Sequence, residues 1–97
     1  MWFLYILHSN SSHIYYVGIS QNPQKRLEQH NHSYKNNFTA KHRPWELKAL
    51  FECGNTESQA RIIETFIKKQ KSKKLINTLC DPLFTPTGKL AQLVRVP

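Results

Sequence analysis

Residues 2–20, WFLYILHSNSSHIYYVGIS, carry the pattern that decides the fold. Residues 2–7 and 14–19 are rich in β-branched and aromatic side chains, whereas residues 9–12 between them are polar. This succession is typical of two strands joined by a turn. The stretch therefore predicts an antiparallel β-hairpin.

The register of this hairpin determines which side chains are neighbours. Pairing His8 with His13 places Tyr5 opposite Tyr16, and directly opposed residues of an antiparallel pair project on the same face. Gly18 lies further along that face and leaves a gap where another backbone or a ligand can approach closely. The alternative interpretation is that both tyrosines are ordinary core aromatics.

The composition indicates one small folded domain with a polyanionic partner. The 97 residues are 39% hydrophobic, which suffices for one modest core. Lys and Arg outnumber Asp and Glu by 14 to 6, for a net charge of +8, and such a basic domain favours nucleic acid because phosphate contacts release counterions. Net charge that serves only solubility is the alternative. No apolar run approaches the ~20 residues of a membrane span, so we expect a cytoplasmic protein without membrane contact.

A short helix is predicted to follow the hairpin. Asn22 can act as its N-cap and Pro23 fits the first helical position, so the helix runs from Pro23 to about His30. Arg26 and His30 are four residues apart and share a face, which brings a fixed cation and an imidazole above the hairpin. A solvated arginine and a histidine that complements the helix dipole are the alternatives.

Residues 32–44, HSYKNNFTAKHRP, lack clean periodicity and combine basic with aromatic side chains. Basic groups that reach phosphates beside rings that stack on bases are typical of nucleic-acid binding. Lys35, Lys41 and Arg43 are the candidate DNA contacts in this segment. A solvated basic connection is the alternative.

A third strand is predicted at residues 46–52, with Leu47, Ala49 and Phe51 on one face. Thr56 and Gln59 then form a capping box. The box opens a helix whose inner face is predicted to carry Ala60, Ile62, Ile63, Phe66 and Ile67.

Glu64 falls at the edge of this inner face, where its carboxylate is partly shielded and can point toward the sheet. The alternative is an ordinary pair with Lys68, four residues on.

Five lysines crowd the end of this helix and the start of a second predicted helix at residues 72–80. They are Lys68, Lys69, Lys71, Lys73 and Lys74. The cluster suits a DNA backbone, although lysines at a helix C-terminus also complement the dipole. From residue 81 the composition changes to Pro, Thr and Gly, which predicts a domain at 1–80 and a loosely attached tail at 81–97.

An ordered set of residues resembles the GIY-YIG nuclease domain, specifically its small standalone bacterial-type members. The set comprises Tyr5, Tyr16, Gly18, Arg26, His30 and Glu64. Ten residues separate the two tyrosines, Arg26 follows Tyr16 by ten and His30 follows by four more. The resemblance covers about residues 2–79, although Phe3-Leu4-Tyr5 replaces Gly-Ile-Tyr. It implies a single α/β (α+β) domain with a three-stranded antiparallel sheet flanked by helices.

The chemistry implied by this resemblance is phosphodiester hydrolysis in DNA with one Mg²⁺ or Mn²⁺ per active site. Glu64 would be the only protein ligand of the ion, Tyr5 would be the general base, and Tyr16 would hold the water or the phosphate. The six acidic residues form no close pair at a predicted strand end, which disfavours a two-metal site.

The other catalytic residues implied by the family are cationic or polar. Arg26 would stabilise charge on the phosphate and His30 would contact a phosphate oxygen or aid proton movement. Asn77 lies about where the family carries a supporting Asn.

Two further classes of function stay open at this point. One is a nucleic-acid-binding module that keeps the shape of the site without cleaving, and the other is an interaction protein with an acidic partner. For a nuclease, we expect branched or weakly specific DNA as substrate, because no appended recognition domain is recognisable. DNA repair, restriction and mobile-element roles are equally compatible with the sequence.

Overall fold

The fold is organised around one four-stranded antiparallel sheet, seen in a computed structural model that describes residues 1–32 and 38–97. The strands are β1 (Trp2–Ser9), β2 (Tyr15–Ser20), β3 (Trp45–Gly54) and β4 (Val94–Arg95), in the spatial order β2-β1-β3-β4. The helices are α1 (Pro23–His32), α2 (Phe38–Lys41), α3 (Glu57–Gln70) and α4 (Lys73–Cys80). The mixed class and the antiparallel sheet are confirmed, whereas the prediction of three strands is wrong by one.

Strands β1 and β2 form the predicted hairpin in a register shifted by two residues. Tyr5 pairs with Gly18 rather than with Tyr16. The turn is longer than predicted and includes His13 in the left-handed conformation, with φ 56°. Because the shift is an even number of residues, both tyrosines and Gly18 still project on one face.

Strand β3 contains a bulge that divides its pattern of alternation. Ile6 pairs with Ala49, but the next residue of β1, Leu7, pairs with Leu47, so Lys48 has no counterpart. Leu47 therefore lies on the face opposite to Ala49, and the predicted single face is corrected.

One face of the sheet, which we call the core face, is covered by α3 and α4. Its strand residues are Leu4, Ile6, Val17, Ala49, Phe51 and Cys53, and they pack against Ala60, Ile63, Ile67 and Leu79 of the helices. None of these side chains carries a charge, so the core face is a conventional apolar interior.

Helix α3 begins with the predicted capping box, in which Thr56 Oγ1 accepts from the Gln59 amide at 3.2 Å and Gln59 Oε1 accepts from the Thr56 amide at 3.2 Å. Ile62 was expected on its inner face but is 68% exposed. It lies about 100° around the helix from buried Ile63, which turns it to solvent.

The segment after α4 completes both the sheet and the core. Strand β4 pairs with β3, and Leu90 and Leu93 are buried on the core face. Arg95 donates to the carbonyl oxygens of Leu79 and Asp81 at 2.8 Å each, closing the end of α4. The expected loose attachment is thereby corrected, while a domain boundary near residue 80 stays a prediction.

The opposite face, which we call the tyrosine face, is covered by α1. It carries Tyr5, Leu7, Tyr16, Trp45, Leu47 and Leu50, against which Leu27 of α1 packs. Helix α1 begins as predicted, because the Lys25 amide donates to Asn22 Oδ1 at 3.2 Å. Within the described part of the chain, no helix is long and apolar enough to cross a membrane.

Candidate active site

The tyrosine face buries a hydrogen-bonded pair of polar rings. The Tyr5 side chain is 1% exposed, and its hydroxyl lies 3.0 Å from Nε2 of His30 on α1. The Tyr5 ring crosses Gly18, where any Cβ would collide with the Tyr5 hydroxyl. The gap predicted at Gly18 thus accommodates this ring.

A third ring completes the cluster. Tyr16 stacks on Tyr5 with 6.3 Å between ring centroids and an angle of 28°, and its centroid lies 4.9 Å from that of His30. The two tyrosines are therefore neighbours in space although they are not paired in the sheet.

Burial and nearby charge determine the protonation of this cluster. Burial lowers the pKa of His30 to about 4, and the charges of Arg26 and Arg43 act in the same direction. Burial raises the pKa of Tyr5, while the nearby guanidinium of Arg26 acts against it. At neutral pH the imidazole is therefore uncharged and able to accept the hydrogen of a protonated phenol.

Arg26 provides an accessible positive charge beside these rings. It is exposed on α1, one turn before His30, and its Nη1 donates to Gln29 Oε1 at 3.0 Å. Its guanidinium is near enough to influence the pKa of both Tyr5 and His30. The structure brings Arg26 to the site as the sequence predicted from helical spacing.

Glu64 on α3 lies at the margin of the same cluster. Its carboxylate is 12% exposed, with Oε2 3.5 Å from Nζ of Lys68 and Oε1 3.8 Å from Nη1 of Arg61. The Lys68 ammonium also lies 5.6 Å from the centroid of the Tyr16 ring. The charge of Glu64 raises the pKa of Tyr5, which places the carboxylate within electrostatic range of the phenol.

The residues present are compatible with a metal ion held by one protein ligand. Among residues 1–32 and 38–97, no group of three or more His, Cys, Asp and Glu could hold a metal. Glu64 offers hard carboxylate oxygens, and Mg²⁺ often takes one or two carboxylates and completes its shell with waters and substrate phosphate. An ion there would displace the contacts of Glu64 with Lys68 and Arg61.

Two positioning residues, Asn31 and Arg43, were not recognised as such from the sequence. Asn31 Nδ2 donates to the Trp45 carbonyl at 3.0 Å and Asn31 Oδ1 accepts from the Trp45 amide at 2.7 Å. Arg43, predicted to contact DNA, donates from Nε to the His30 carbonyl at 2.6 Å. The last carbonyls of a helix need partners outside it, and that need is the sequence signal for the contact that Arg43 makes.

Asn77 stands apart from the ring cluster. It is exposed on α4 and lines a surface cleft together with Lys73 and Lys74. No hydrogen bond or ion pair within the described residues links it to Tyr5 or His30, and its supporting role stays a prediction.

The candidate DNA-binding lysines fall on several surfaces. Lys68, Lys71 and Lys73 line one groove beside β2. Lys69 faces another side of α3, and Lys41 is exposed at the end of α2. Lys35 lies outside the described residues.

Comparison with known proteins agrees with this arrangement. The GIY-YIG catalytic domain family matches residues 1–77, and the chain therefore belongs to that family. Its members are nucleases that act on DNA and generally depend on a divalent metal. No curated protein sequence matches the chain significantly.

Proposed function

We propose that this protein is a metal-dependent DNA endonuclease in which Tyr5 is the general base and Glu64 the metal ligand. The hydrogen bond between the Tyr5 hydroxyl and neutral His30 is the observation that carries the proposal. Exposed Arg26 and shielded Glu64 add the cation and the carboxylate that phosphodiester hydrolysis requires.

His30 orients Tyr5 for proton transfer. With its own hydrogen on Nδ1, the imidazole accepts the Tyr5 hydrogen at Nε2, which leaves lone pairs of the phenol oxygen to accept a hydrogen bond from water. As the oxygen of water bonds to phosphorus, its proton passes to the Tyr5 oxygen while the Tyr5 proton passes to Nε2. The bond between phosphorus and the leaving oxygen breaks, and the leaving oxygen takes up a proton from solvent. This relay avoids a free phenolate, which burial of Tyr5 opposes.

Arg26 and Tyr16 act on the phosphate. The Arg26 guanidinium stabilises negative charge that develops on the non-bridging oxygens, and it is exposed and can reach a backbone. Burial and, to a lesser extent, the charges of Arg26 and Arg43 lower the pKa of His30. Binding of the phosphate offsets these charges and so improves the imidazole as a proton acceptor. Tyr16 holds the water or the phosphate against the Tyr5 ring.

Glu64 is the residue that would hold Mg²⁺ or Mn²⁺. When bound, the ion supplies Lewis-acid stabilisation of negative charge on the phosphate and the leaving oxygen. In the free protein, Lys68 and Arg61 balance the carboxylate charge.

One observation favours a second function, a DNA-binding module that does not cleave. Lys68 and Arg61 already balance the charge of Glu64, the carboxylate that would have to hold the metal. Such a module would bind DNA with a steep dependence on salt and leave the backbone intact.

Cleavage of plasmid, linear and branched DNA in Mg²⁺, Mn²⁺ or EDTA separates the two functions. We expect cleavage only with metal, and we expect Glu64→Gln to abolish it while retaining DNA binding in a gel-shift assay. Glu57→Gln is the matched control, because Glu57 is 54% exposed on the same helix and pairs with Arg61 at 2.6 Å. Binding without cleavage under every condition would support the module instead, and full activity of Glu64→Gln would refute the metal assignment.

A further inference from the structure

We propose that a groove between β2 and the junction of α3 with α4 binds one unpaired nucleotide next to the scissile phosphate, an inference that rests on the proposed function. The groove would make the protein prefer DNA with a flap, an overhang or a branch over an uninterrupted duplex.

The groove combines an apolar floor with a cationic rim. The floor is formed by Ile14, Tyr15, Val17, Ile67 and Ile76, and the rim by Lys68, Lys71, Ser72 and Lys73. It encloses about 220 Å³, which is below the ~300–1,000 Å³ of sites for larger small molecules. Its size therefore suits a single base rather than a base pair.

A nucleotide satisfies both parts of this surface. Lysines that surround apolar side chains attract phosphate, and a half-buried tyrosine offers a face on which a base can stack. A phosphate backbone alone would leave the apolar floor unused. Paired bases within a duplex are already stacked on their neighbours, so only an unpaired base can enter the groove.

The groove adjoins the cluster formed by the rings of Tyr5, Tyr16 and His30. Tyr15 and Tyr16 are consecutive residues of β2 and project on opposite faces of the sheet. Lys68 lines the groove and also lies 3.5 Å from Glu64 and 5.6 Å from the centroid of the Tyr16 ring. Strand β2 is at the edge of the sheet. A DNA strand that leaves the cluster of Tyr5, Tyr16 and His30 would therefore pass around this edge into the groove.

The test measures binding in EDTA, so it does not depend on cleavage. Fluorescence anisotropy compares a blunt duplex with the same duplex carrying a three-nucleotide single-stranded overhang. We expect the overhang to bind about 5- to 10-fold more tightly, the effect of stacking about one base. A 2-aminopurine in the overhang should lose fluorescence on binding to the normal protein and keep it with Tyr15→Leu.

Two double variants remove the same charge from different surfaces. Lys71→Asn with Lys73→Gln should abolish the preference for the overhang. Lys69→Gln with Lys74→Gln should weaken binding to both DNAs equally and preserve the ratio, because these lysines lie outside the groove.

Equal affinity of the normal protein for the two DNAs would overturn the groove proposal, as would equal effects of the two double variants on the ratio. Failure of the proposed function gives a different pattern, in which the preference for the overhang persists but no DNA is cut in Mg²⁺ or Mn²⁺.

Discussion

The two faces of the sheet are built from the same strands but bury different chemistry. Leu4 on the core face is 0% exposed and Tyr5 on the tyrosine face is 1% exposed, so depth of burial does not distinguish them. The Tyr5 hydroxyl differs in needing a partner, which His30 supplies. A buried polar group without one costs about 2–7 kcal/mol. One face of this sheet therefore serves stability, while the other holds polar groups whose pairing is available for chemistry.

Removing the Tyr5 hydroxyl should have the largest effect on activity. Tyr5→Phe keeps the ring but eliminates proton transfer, so we expect cleavage to fall by about 10²–10⁴-fold. Loss of the bond to His30 should lower the free energy of unfolding by only about 1–3 kcal/mol. Nicking assays and urea denaturation measure the two quantities, and a cleavage rate within tenfold of normal would exclude Tyr5 as the base.

Removing one large side chain from the core face should have the converse effect, a large loss of stability with little loss of activity. Phe51→Ala removes a fully buried ring, and we expect the free energy of unfolding to fall by about 3–5 kcal/mol. The rate per folded molecule should stay within a few-fold of normal at a temperature where the variant is folded. A large loss of rate in well-folded Phe51→Ala would mean that the two faces are not separable.

His30 gives the tyrosine face a dependence on pH. Its pKa is about 4 in the folded protein against 6.5 ordinarily, so the unfolded chain binds this proton first as pH falls. The stabilisation is complete above pH 6.5 and is lost on the way down to pH 4, by about 3 kcal/mol. His30→Gln should remove this part of the slope in urea denaturation series between pH 7 and pH 4, and an unchanged slope would contradict it.

The contact between Gly18 and Tyr5 can be disturbed with one methyl group. Gly18→Ala should force the Tyr5 ring aside and cost about 1–3 kcal/mol of stability. Cleavage should also fall, because the hydroxyl moves relative to His30. Gly88→Ala is the control, since a Cβ there meets no atom within 4 Å and only the backbone strain of φ +62° is added. Equal cleavage by the two variants would argue against a fixed position for Tyr5.

Local signals allowed much of this fold to be predicted. The capping box at Thr56, the cap at Asn22 and the helix after Ser72 depend on neighbouring residues, and each is confirmed. The hairpin register failed because the length of the turn, including left-handed His13, is not encoded in the strand pattern. The prediction of which residues share a face was still correct, because the error in register was an even number of residues.

Features set by distant contacts could not be predicted. The bulge at Lys48 depends on how β1 and β3 adjust to each other, and β4 is a two-residue strand with no alternating pattern of its own. The candidate site residues Tyr5, Tyr16, Arg26, His30 and Glu64 could be identified from the sequence, because they follow one another in the order that the family carries. The Asn31 clamp on Trp45 was not, because it forms only when residues 14 apart in sequence meet.

The strand at the end of the chain has a practical consequence. Val96 donates its amide hydrogen to the Leu50 carbonyl at 2.8 Å, so this segment satisfies backbone groups that β3 would otherwise present to solvent. A protein that ends at residue 77, where the family match ends, would expose those backbone groups to solvent. It would also expose the apolar surface that Leu90 and Leu93 cover. Unprotected strands of this kind recruit other molecules. We expect the shortened form to self-associate, and size-exclusion chromatography would reveal it.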